Sequence, residues 1–151
     1  AKRKNEKVCF IMLDVDFFKL YNDNYGHQEG DNVLISIAGV LKSNMKRGND
    51  YCFRIGGEEF VILFDTDTIE NALSFSNKIR KDIENLKIEH KYNKISDYVT
   101  VSMGLYCDKA QNIKKPEELY KNADDLLYKA KENGRDRIEV SIIDDEEELV
   151  W

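Results

Sequence analysis

The chain has 151 residues, 42% hydrophobic and 34% charged, so it is long enough for one domain with a buried core and too apolar for a disordered chain. Its formal charge of −6 becomes −1 without the five acids at positions 144–148, and a nearly neutral folded part argues against a nucleic-acid partner. No apolar run reaches membrane-spanning length and no signal peptide is recognisable, so we expect a cytoplasmic domain, with membrane anchoring of a longer protein left open.

Strand and helix patterns alternate along the chain. In order, they predict strand 8–15, helices 17–25 and 31–45, strands 51–53 and 60–64, helix 68–86, strand 98–106, helix 116–133 and strand 137–140. The first strand is almost continuously apolar, as expected of a central strand covered on both faces. Thr68 is expected as an N-cap, Pro116 suits a first helical turn, and Gly134 ends the last helix. This order predicts an α+β fold in which helices pack on a central mixed sheet of antiparallel type.

The three cysteines, Cys9, Cys52 and Cys107, lie in strand-like apolar runs and lack the CxxC spacing of many metal and redox sites. An odd number leaves at least one of them without a partner. We therefore expect buried, reduced thiols in a protein from a reducing compartment.

Carboxylates gather at two predicted strand ends. Asp14 lies near the end of the first apolar run, and Glu58 and Glu59 follow the tight turn at Gly56 and Gly57. A carboxylate at the end of a buried strand is costly unless a cation or hydrogen bonds accompany it. Asp14 and Glu58 could approach each other, and their hard oxygen atoms suit Mg²⁺. Two alternatives stay open: an ordinary hairpin with solvated acids, and Asp14 as the cap of the following helix.

Two further pairs of polar residues carry side-chain groups that fit nucleotide binding. Lys131 and Arg135 are four residues apart near a helix end, so both can point the same way and clamp a polyphosphate. The alternative is a favourable interaction with the helix C-terminus. Asn22 and Asp31 carry groups that match the hydrogen-bonding edge of guanine. Their alternative roles are a turn residue and an N-cap.

Three stretches of the chain resemble the signatures of the GGDEF family, the diguanylate cyclases. The first signature is similar to Asp14-x-Asp16-x-Phe18-Lys19-x-x-Asn22-Asp23-x-x-Gly26-His27-x-x-Gly30-Asp31. The signature loop, in its GGEEF form, is similar to Gly56-Gly57-Glu58-Glu59-Phe60, and the C-terminal signature to Lys131-x-x-x-Gly134-Arg135-x-Arg137. We therefore assign residues 1–140 to a GGDEF domain and residues 141–151 to an acidic tail.

The resemblance implies a sheet like the palm of nucleotide cyclases and polymerases, with a site carried over residue by residue. Asp14, the Val15 carbonyl and Glu58 would bind Mg²⁺, with Mn²⁺ as a possible replacement, and Glu59 would be a further acidic group of the catalytic site. The substrate GTP would contact Phe18, Lys19, Asn22, Asp31, Lys131 and Arg135. GTP is expected rather than ATP, because the Asp31 carboxylate matches guanine donors and would face the acceptor N1 of adenine.

The implied reaction needs a homodimer. Each domain would hold one GTP, and each 3′-hydroxyl would attack the α-phosphate of the other GTP, yielding cyclic di-GMP and two pyrophosphates. Two alternatives are a catalytically silent GGDEF domain that binds GTP or cyclic di-GMP, and a cyclase that makes a mixed or single-nucleotide product. The chain starts at Ala1 rather than Met, and we expect a sensor or regulatory domain before it in the longer protein.

A fourth, shorter resemblance concerns regulation. Arg47 and Asp50 form an RxxD pattern a few residues before Gly56, similar to the inhibitory site at which the family binds its product. The resemblance implies feedback inhibition by cyclic di-GMP. The alternative is an ordinary polar turn between a helix and a strand, since such turns favour these residue types.

Overall fold

One five-stranded sheet with helices on both faces makes up the fold of residues 6–143, which are the residues that the computed structural model describes. The strands are β1 (Lys7–Val15), β2 (Tyr51–Arg54), β3 (Glu59–Thr66), β4 (Val101–Lys109) and β5 (Ile138–Ile142). The helices are α1 (Phe18–Tyr25), α2 (His27–Asn44), α3 (Ile69–Glu84) and α4 (Pro116–Glu132), with a short 3₁₀ turn at Ala110–Asn112. The predicted order of strands and helices is confirmed, and the acidic run of the tail lies outside the described residues.

The sheet has the strand order β2-β3-β1-β4-β5. All neighbours are antiparallel except β4 and β5, which run parallel because the chain crosses over through α4 between them. This arrangement confirms the predicted α+β fold with a mixed sheet of antiparallel type. Strand β1 lies at its centre and pairs along its whole length with β4.

Alternate residues of the central strands supply two separate hydrophobic cores. The larger core lies between the sheet and helices α1, α2 and α3, and its members include Ile11, Leu13, Ile37, Ile62 and Ile79. The smaller one lies on the other face under α4, and its buried members are Met12, Val61, Ala123 and Leu127. Strand β1 is therefore covered on both faces, as its continuous apolar sequence predicts.

Helix α4 rests directly on the backbone of β4 at Gly104. A Cβ atom at Gly104 would lie 2.3 Å from the carbonyl oxygen of Ala123 and 2.4 Å from the backbone nitrogen of Leu127. Only glycine permits this approach, since any side chain would collide with the helix backbone. The contact fixes the height of α4 above the sheet, and with it the position of residues near the end of α4.

Several element boundaries differ from the sequence prediction. Helix α2 begins at His27 rather than at residue 31, because its first turn is polar and exposed while the apolar periodicity starts only at Val33. Helix α3 ends at Glu84 rather than at residue 86, which leaves Leu86, the last residue of the predicted helix, 38% exposed. The predicted N-cap is confirmed, since the Thr68 hydroxyl accepts a hydrogen bond from the backbone N–H of Asn71 at 3.1 Å.

The prediction of three reduced thiols is wrong for two of the cysteines. Cys9 on β1 and Cys107 on β4 are cross-strand partners with Cα atoms 4.2 Å apart, and a disulfide joins them. Both are fully buried, whereas Cys52 on β2 is half-buried and unpaired. Spacing along the chain could not reveal this pair, because antiparallel pairing of β1 and β4 joins residues 98 positions apart.

None of the helices between residues 6 and 143 combines the length and the apolar character that crossing a lipid bilayer requires.

Candidate active site

A cavity of about 300 Å³ opens at the end of the sheet where β1 finishes. There Asp14 of β1 is paired with Glu59 of β3 on one side and with Ser102 of β4 on the other. The cavity is lined by Asp14, Val15, Phe17, Phe18, Lys19, Leu20, Glu58, Lys131 and Arg135. Three separate stretches of sequence, the end of β1 with α1, the hairpin and the end of α4, are thus brought to one place. All but Phe17 and Leu20 among these residues belong to the site predicted from the sequence.

Asp14 is the buried anion of the cavity, with 6% of the residue exposed. Its Oδ2 atom contacts the Nζ atom of Lys131, which reaches over from the last turn of α4. Its Oδ1 atom is buried and finds no hydrogen-bond partner within residues 6–143. A buried carboxylate oxygen without a partner is unusual, and a bound cation would satisfy it.

The carboxylates around Asp14 are crowded. Burial, and next the charge of Asp14, raise the pKa of Glu58 to about 7, although Lys131 acts in the opposite direction. Burial and the charge of Asp14 also raise the pKa of Glu59. Both shifts have the physical cause expected when several acids share one ammonium group in a partly desolvated site. A divalent cation would relieve this repulsion, so the acidic residues present fit a metal ion.

The side chains at the cavity can supply only part of the coordination shell of a Mg²⁺ ion. Between residues 6 and 143, no three side chains of His, Cys, Asp or Glu converge closely enough to form a metal site of their own. The cavity instead offers two carboxylates, Asp14 and Glu58, with Val15 also in its lining. Mg²⁺ is commonly held by one or two carboxylates, with the other positions filled by water and substrate phosphates.

The alternative role of Asp14 as a helix cap is wrong. The N-cap residue of α1 is Phe17, which has the left-handed backbone conformation (φ 52°), and no side chain caps the helix.

The carbonyl oxygen of Phe17 lies 3.1 Å from Nε2 of the fully buried His90. Burial lowers the pKa of His90. The uncapped first turn of α1, at Phe18 and Lys19, borders the cavity, and free N–H groups at a helix start attract anions.

Arg135 lies just beyond α4 and completes the basic side of the cavity. Its guanidinium carbon is 4.6 Å from the centre of the Phe17 ring, a cation–π distance. Its Nη1 atom lies 3.8 Å from Oδ1 of Asp16. Lys131 and Arg135 thus line the same cavity, and Lys131 contacts Asp14 rather than only the end of its own helix. Arg135 lies outside α4 and has φ 65°, so the loop after the helix, rather than a helical spacing of four residues, places its side chain there.

Asp16 is a site residue that the sequence reasoning did not assign. It is fully buried, and it accepts hydrogen bonds from the hydroxyls of Thr100 and Ser102 and from the backbone N–H of Asp136. Burial raises the pKa of Asp16, and these hydrogen bonds and Arg135 act against that rise. The sequence did contain a signal for Asp16, since it is a second aspartate at the end of a buried strand. Like Asp14, a buried carboxylate there needs hydrogen-bond donors or a cation.

Asn22 and Asp31 lie beside the cavity rather than in its lining. The Oδ1 atom of Asn22, on α1, is buried and has no hydrogen-bond partner among the described residues. It packs where a side chain at position 30 would be, since a Cβ on Gly30 would lie 1.7 Å from it and 3.3 Å from the Phe18 ring. Asp31 follows Gly30 and is exposed. Because it lies inside α2, the alternative role of Asp31 as an N-cap is wrong.

Arg47 and Asp50 lie at the opposite end of the sheet. Arg47 forms an ion pair with Asp65, and its Nη1 donates to the Asp65 carbonyl oxygen at 2.8 Å. Asp65 is near the end of β3 that pairs with the start of β1, far from Asp14. The backbone N–H of Arg47 also donates to Asp50 at 3.1 Å, as in a polar turn, so the inhibitory site stays a prediction.

Comparison with known protein families and sequences gives consistent matches. Residues 1–137 match the family model described as diguanylate cyclase, GGDEF domain. Diguanylate cyclase A of Treponema denticola is 36% identical over 138 residues, which are 91% of this chain and 36% of that protein. Diguanylate cyclase DgcM of Escherichia coli K12 is 38% identical over 134 residues, 88% of this chain and 30% of that protein. The chain therefore spans about a third of the length of these curated relatives.

Solved structures show the same fold. The GGDEF domain of DgcB from Caulobacter crescentus, in complex with c-di-GMP, has a TM-score of 0.77 at 29% identity, covering 89% of this chain and 78% of that one. The active GGEEF domain of a diguanylate cyclase from Vibrio cholerae has a TM-score of 0.73 at 31% identity, covering 89% and 82%.

Proposed function

Because the chain belongs to the GGDEF domain family of diguanylate cyclases, we propose that it condenses two GTP molecules into cyclic di-GMP and two pyrophosphates. The observation that carries this proposal is the cavity at the end of β1, where Asp14, Glu58, Lys131 and Arg135 converge. Each domain holds one GTP there. Two domains meet so that each 3′-hydroxyl attacks the α-phosphate of the other GTP in line, which makes a homodimer the active form.

Asp14, the Val15 carbonyl and Glu58 are the residues that would hold Mg²⁺, or Mn²⁺ in its place. The ion would supply stabilisation of negative charge on the α-phosphate and a more acidic 3′-hydroxyl. The unpartnered Oδ1 of Asp14 and the raised pKa of Glu58 both support this placement, since each marks negative charge without enough compensation. Glu59, paired with Asp14 across the sheet, adds to the acidic field that retains the cation.

Lys131 and Arg135 bind the triphosphate. In this structure the Lys131 ammonium forms an ion pair with Asp14. A cation at Asp14 would compete for that carboxylate and would leave the ammonium available to a phosphate. Arg135 offers the planar fork that suits phosphate oxygens. The backbone N–H groups of Phe18 and Lys19, in the uncapped first turn of α1, add donors of the kind that phosphates accept at helix starts.

Asn22 and Asp31 select the base. The buried, unpartnered Oδ1 of Asn22 needs a donor, and the amide of Asn22 can also donate, so it can pair with the edge of guanine. The exposed Asp31 carboxylate accepts from the N1 and N2 donors of guanine and repels the acceptor N1 of adenine. A site of this kind discriminates strongly, because the wrong base leaves polar groups unpaired.

Arg47 and Asp50 bind the product cyclic di-GMP and mediate feedback inhibition. Support comes from the arginine side chain at the surface and from the Oδ1 atom of Asp50, which has no hydrogen-bond partner within the described residues. Product phosphates must compete with Asp65 for the Arg47 guanidinium, because the two already form an ion pair. Inhibition at this distance from Asp14 acts on the meeting of two domains rather than on the cavity itself.

Product analysis tests the proposed reaction. Concentrated protein is incubated with GTP and Mg²⁺, and the nucleotides are identified by mass spectrometry for the parent chain, for Glu58→Gln and for Glu132→Gln. Glu132 is a matched control because it is an exposed acid at the end of α4 that does not line the cavity. Cyclic di-GMP is expected from the parent and from Glu132→Gln, and none from Glu58→Gln.

The failures of this experiment have distinct meanings. GTP that binds in a Mg²⁺-dependent way without any product would mean either that two copies of this chain do not meet or that the domain is a binding module. A parent chain that does not bind GTP at all would overturn the assignment of the cavity.

A further inference from the structure

The carboxylate of Asp16 sits fully buried between three parts of the fold, two residues after Asp14. Its Oδ1 accepts from the Ser102 hydroxyl at 2.6 Å, and its Oδ2 accepts from the Thr100 hydroxyl at 2.9 Å and from the backbone N–H of Asp136 at 3.0 Å. A buried carboxylate is tolerated when donors surround it in this way. Asp16 therefore ties the start of β4 to the loop that follows α4.

That loop has an unusual backbone. Gly134, Arg135 and Asp136 have φ values of 123°, 65° and 48°, so two successive non-glycine residues adopt the left-handed conformation that such residues rarely take. Conformations of this kind persist only where the surroundings hold them. The Arg135 N–H donates to the carbonyl of Ala130 at 2.9 Å, and the Asp136 carboxylate accepts from Arg80 at 3.1 Å. The bond from the Asp136 N–H to Asp16 is the third restraint.

The same aspartate also faces the head of Arg135. The guanidinium lies between the Phe17 ring, 4.6 Å away, and Oδ1 of Asp16, 3.8 Å from Nη1. We propose that Asp16 is a positioning residue: it holds the backbone of the 134–136 loop and the guanidinium of Arg135 so that this side chain faces the triphosphate. This inference rests on the proposed function, because it assigns Arg135 to GTP.

Two consequences follow for GTP binding. Asp16→Asn keeps the size of the side chain but removes its charge and places an NH₂ group among donors. The affinity for GTP in Mg²⁺ should fall about tenfold, whereas Arg135→Ala should lower it by about 10-fold to 100-fold, the range of a lost charge-assisted hydrogen bond. If Asp16 acts through Arg135, the double variant should bind GTP no more weakly than Arg135→Ala alone.

Asp108 provides a matched control. It is also a buried aspartate, at the other end of β4, and it accepts from the Tyr106 hydroxyl, the Lys109 N–H and the Asn112 amide. Asp108→Asn should lose stability as Asp16→Asn does and leave GTP affinity unchanged. Ser102→Ala removes one hydrogen-bond donor to Asp16, so it should weaken GTP binding by less than Asp16→Asn does. It replaces Asp16→Asn in the test if that variant does not fold.

Isothermal calorimetry with GTP measures these affinities on the 151-residue chain, and hydrogen exchange of the Asp136 amide measures the restraint itself. Protection of that amide in the parent and its loss in Asp16→Asn would support the inference. Parental affinity for GTP in Asp16→Asn, or an effect that adds fully to that of Arg135→Ala, would overturn it. A parent chain that binds no GTP overturns the proposed function instead, while equal amide exchange in parent and Asp16→Asn overturns this inference alone.

Discussion

The close contact between Gly104 and α4 predicts a large effect from a single added methyl group. In Gly104→Ala the new Cβ atom would lie 2.3 Å and 2.4 Å from backbone atoms of α4, whereas ordinary contact begins at 3.4 Å. The helix must therefore retreat by about 1 Å, since backbone atoms cannot rotate away as a side chain can. Overpacking of this kind costs about 3 kcal/mol, and the lower backbone entropy of alanine in the unfolded chain returns roughly 0.5–1 kcal/mol. The net loss is about 2 kcal/mol, or roughly 4–8 °C in Tm for a chain of this size.

Gly39→Ala is the matched control. Gly39 lies within α2, and a Cβ atom there would meet nothing within 4 Å. This variant should be more stable than the parent by roughly 0.5–1 kcal/mol, because alanine favours the helix. Urea denaturation and thermal melting measure both effects. GTP affinity should fall in Gly104→Ala alone, since α4 carries Lys131 into the cavity. A Gly104→Ala protein as stable as the parent would refute the argument.

Three further predictions concern pH, substrate choice and inhibition. Burial lowers the pKa of His90 in the folded protein, while the unfolded chain binds a proton near pH 6.5, so His90 itself destabilises the fold as pH falls below about 6.5. The raised pKa of Glu58 acts in the opposite direction in the same range, so the His90 contribution is measured as the free energy of unfolding of the parent minus that of His90→Gln, and this difference should fall as the pH is lowered. Asp31→Ala should weaken GTP binding by about 10-fold to 100-fold in a competition assay. It should strengthen the weaker ATP binding, because the variant no longer repels the acceptor N1 of adenine. Arg47→Ala should remove inhibition by cyclic di-GMP in rate measurements, whereas Asp65→Asn, which frees Arg47 from its ion pair, should strengthen it.

Each of these predictions has an outcome that contradicts it. Parallel stability curves for the parent and His90→Gln between about pH 5 and 7 would show that His90 is not the group that titrates. Equal losses of GTP and ATP binding in Asp31→Ala would mean that this residue does not read the base. Unchanged product inhibition in Arg47→Ala would leave Arg47 and Asp50 with the role of an ordinary polar turn.

The order of strands and helices could be predicted because hydrophobic periodicity records which faces are buried. The five buried positions of α4, including Ala123 and Leu127, were all readable from spacing in the sequence. The start of α2 was not, because its first turn at His27 is polar and packing of Gly30 against Asn22, rather than an apolar stripe, places it. The pattern of residues within an element indicates which of them are buried. It does not indicate contacts between two elements, such as the packing of Gly30 against Asn22.

The candidate site shows the same division. Asp14, Glu58, Lys131 and Arg135 were predicted to act together, and the structure brings all four to one cavity. The pairing of Lys131 with Asp14, across 117 positions, could not be read from spacing, and neither could the three donors around Asp16. Both depend on strand register and on the height of α4, which long-range packing determines.

The most direct test of the central claim is a crystal structure of the chain with Mg²⁺ and a non-reactive GTP analogue. We expect a metal ion against Asp14 and Glu58 and a triphosphate against Lys131 and Arg135, with the ion pair between Lys131 and Asp14 opened. A nucleotide bound elsewhere, with that ion pair intact and no metal beside Asp14, would contradict the claim that this cavity is the active site.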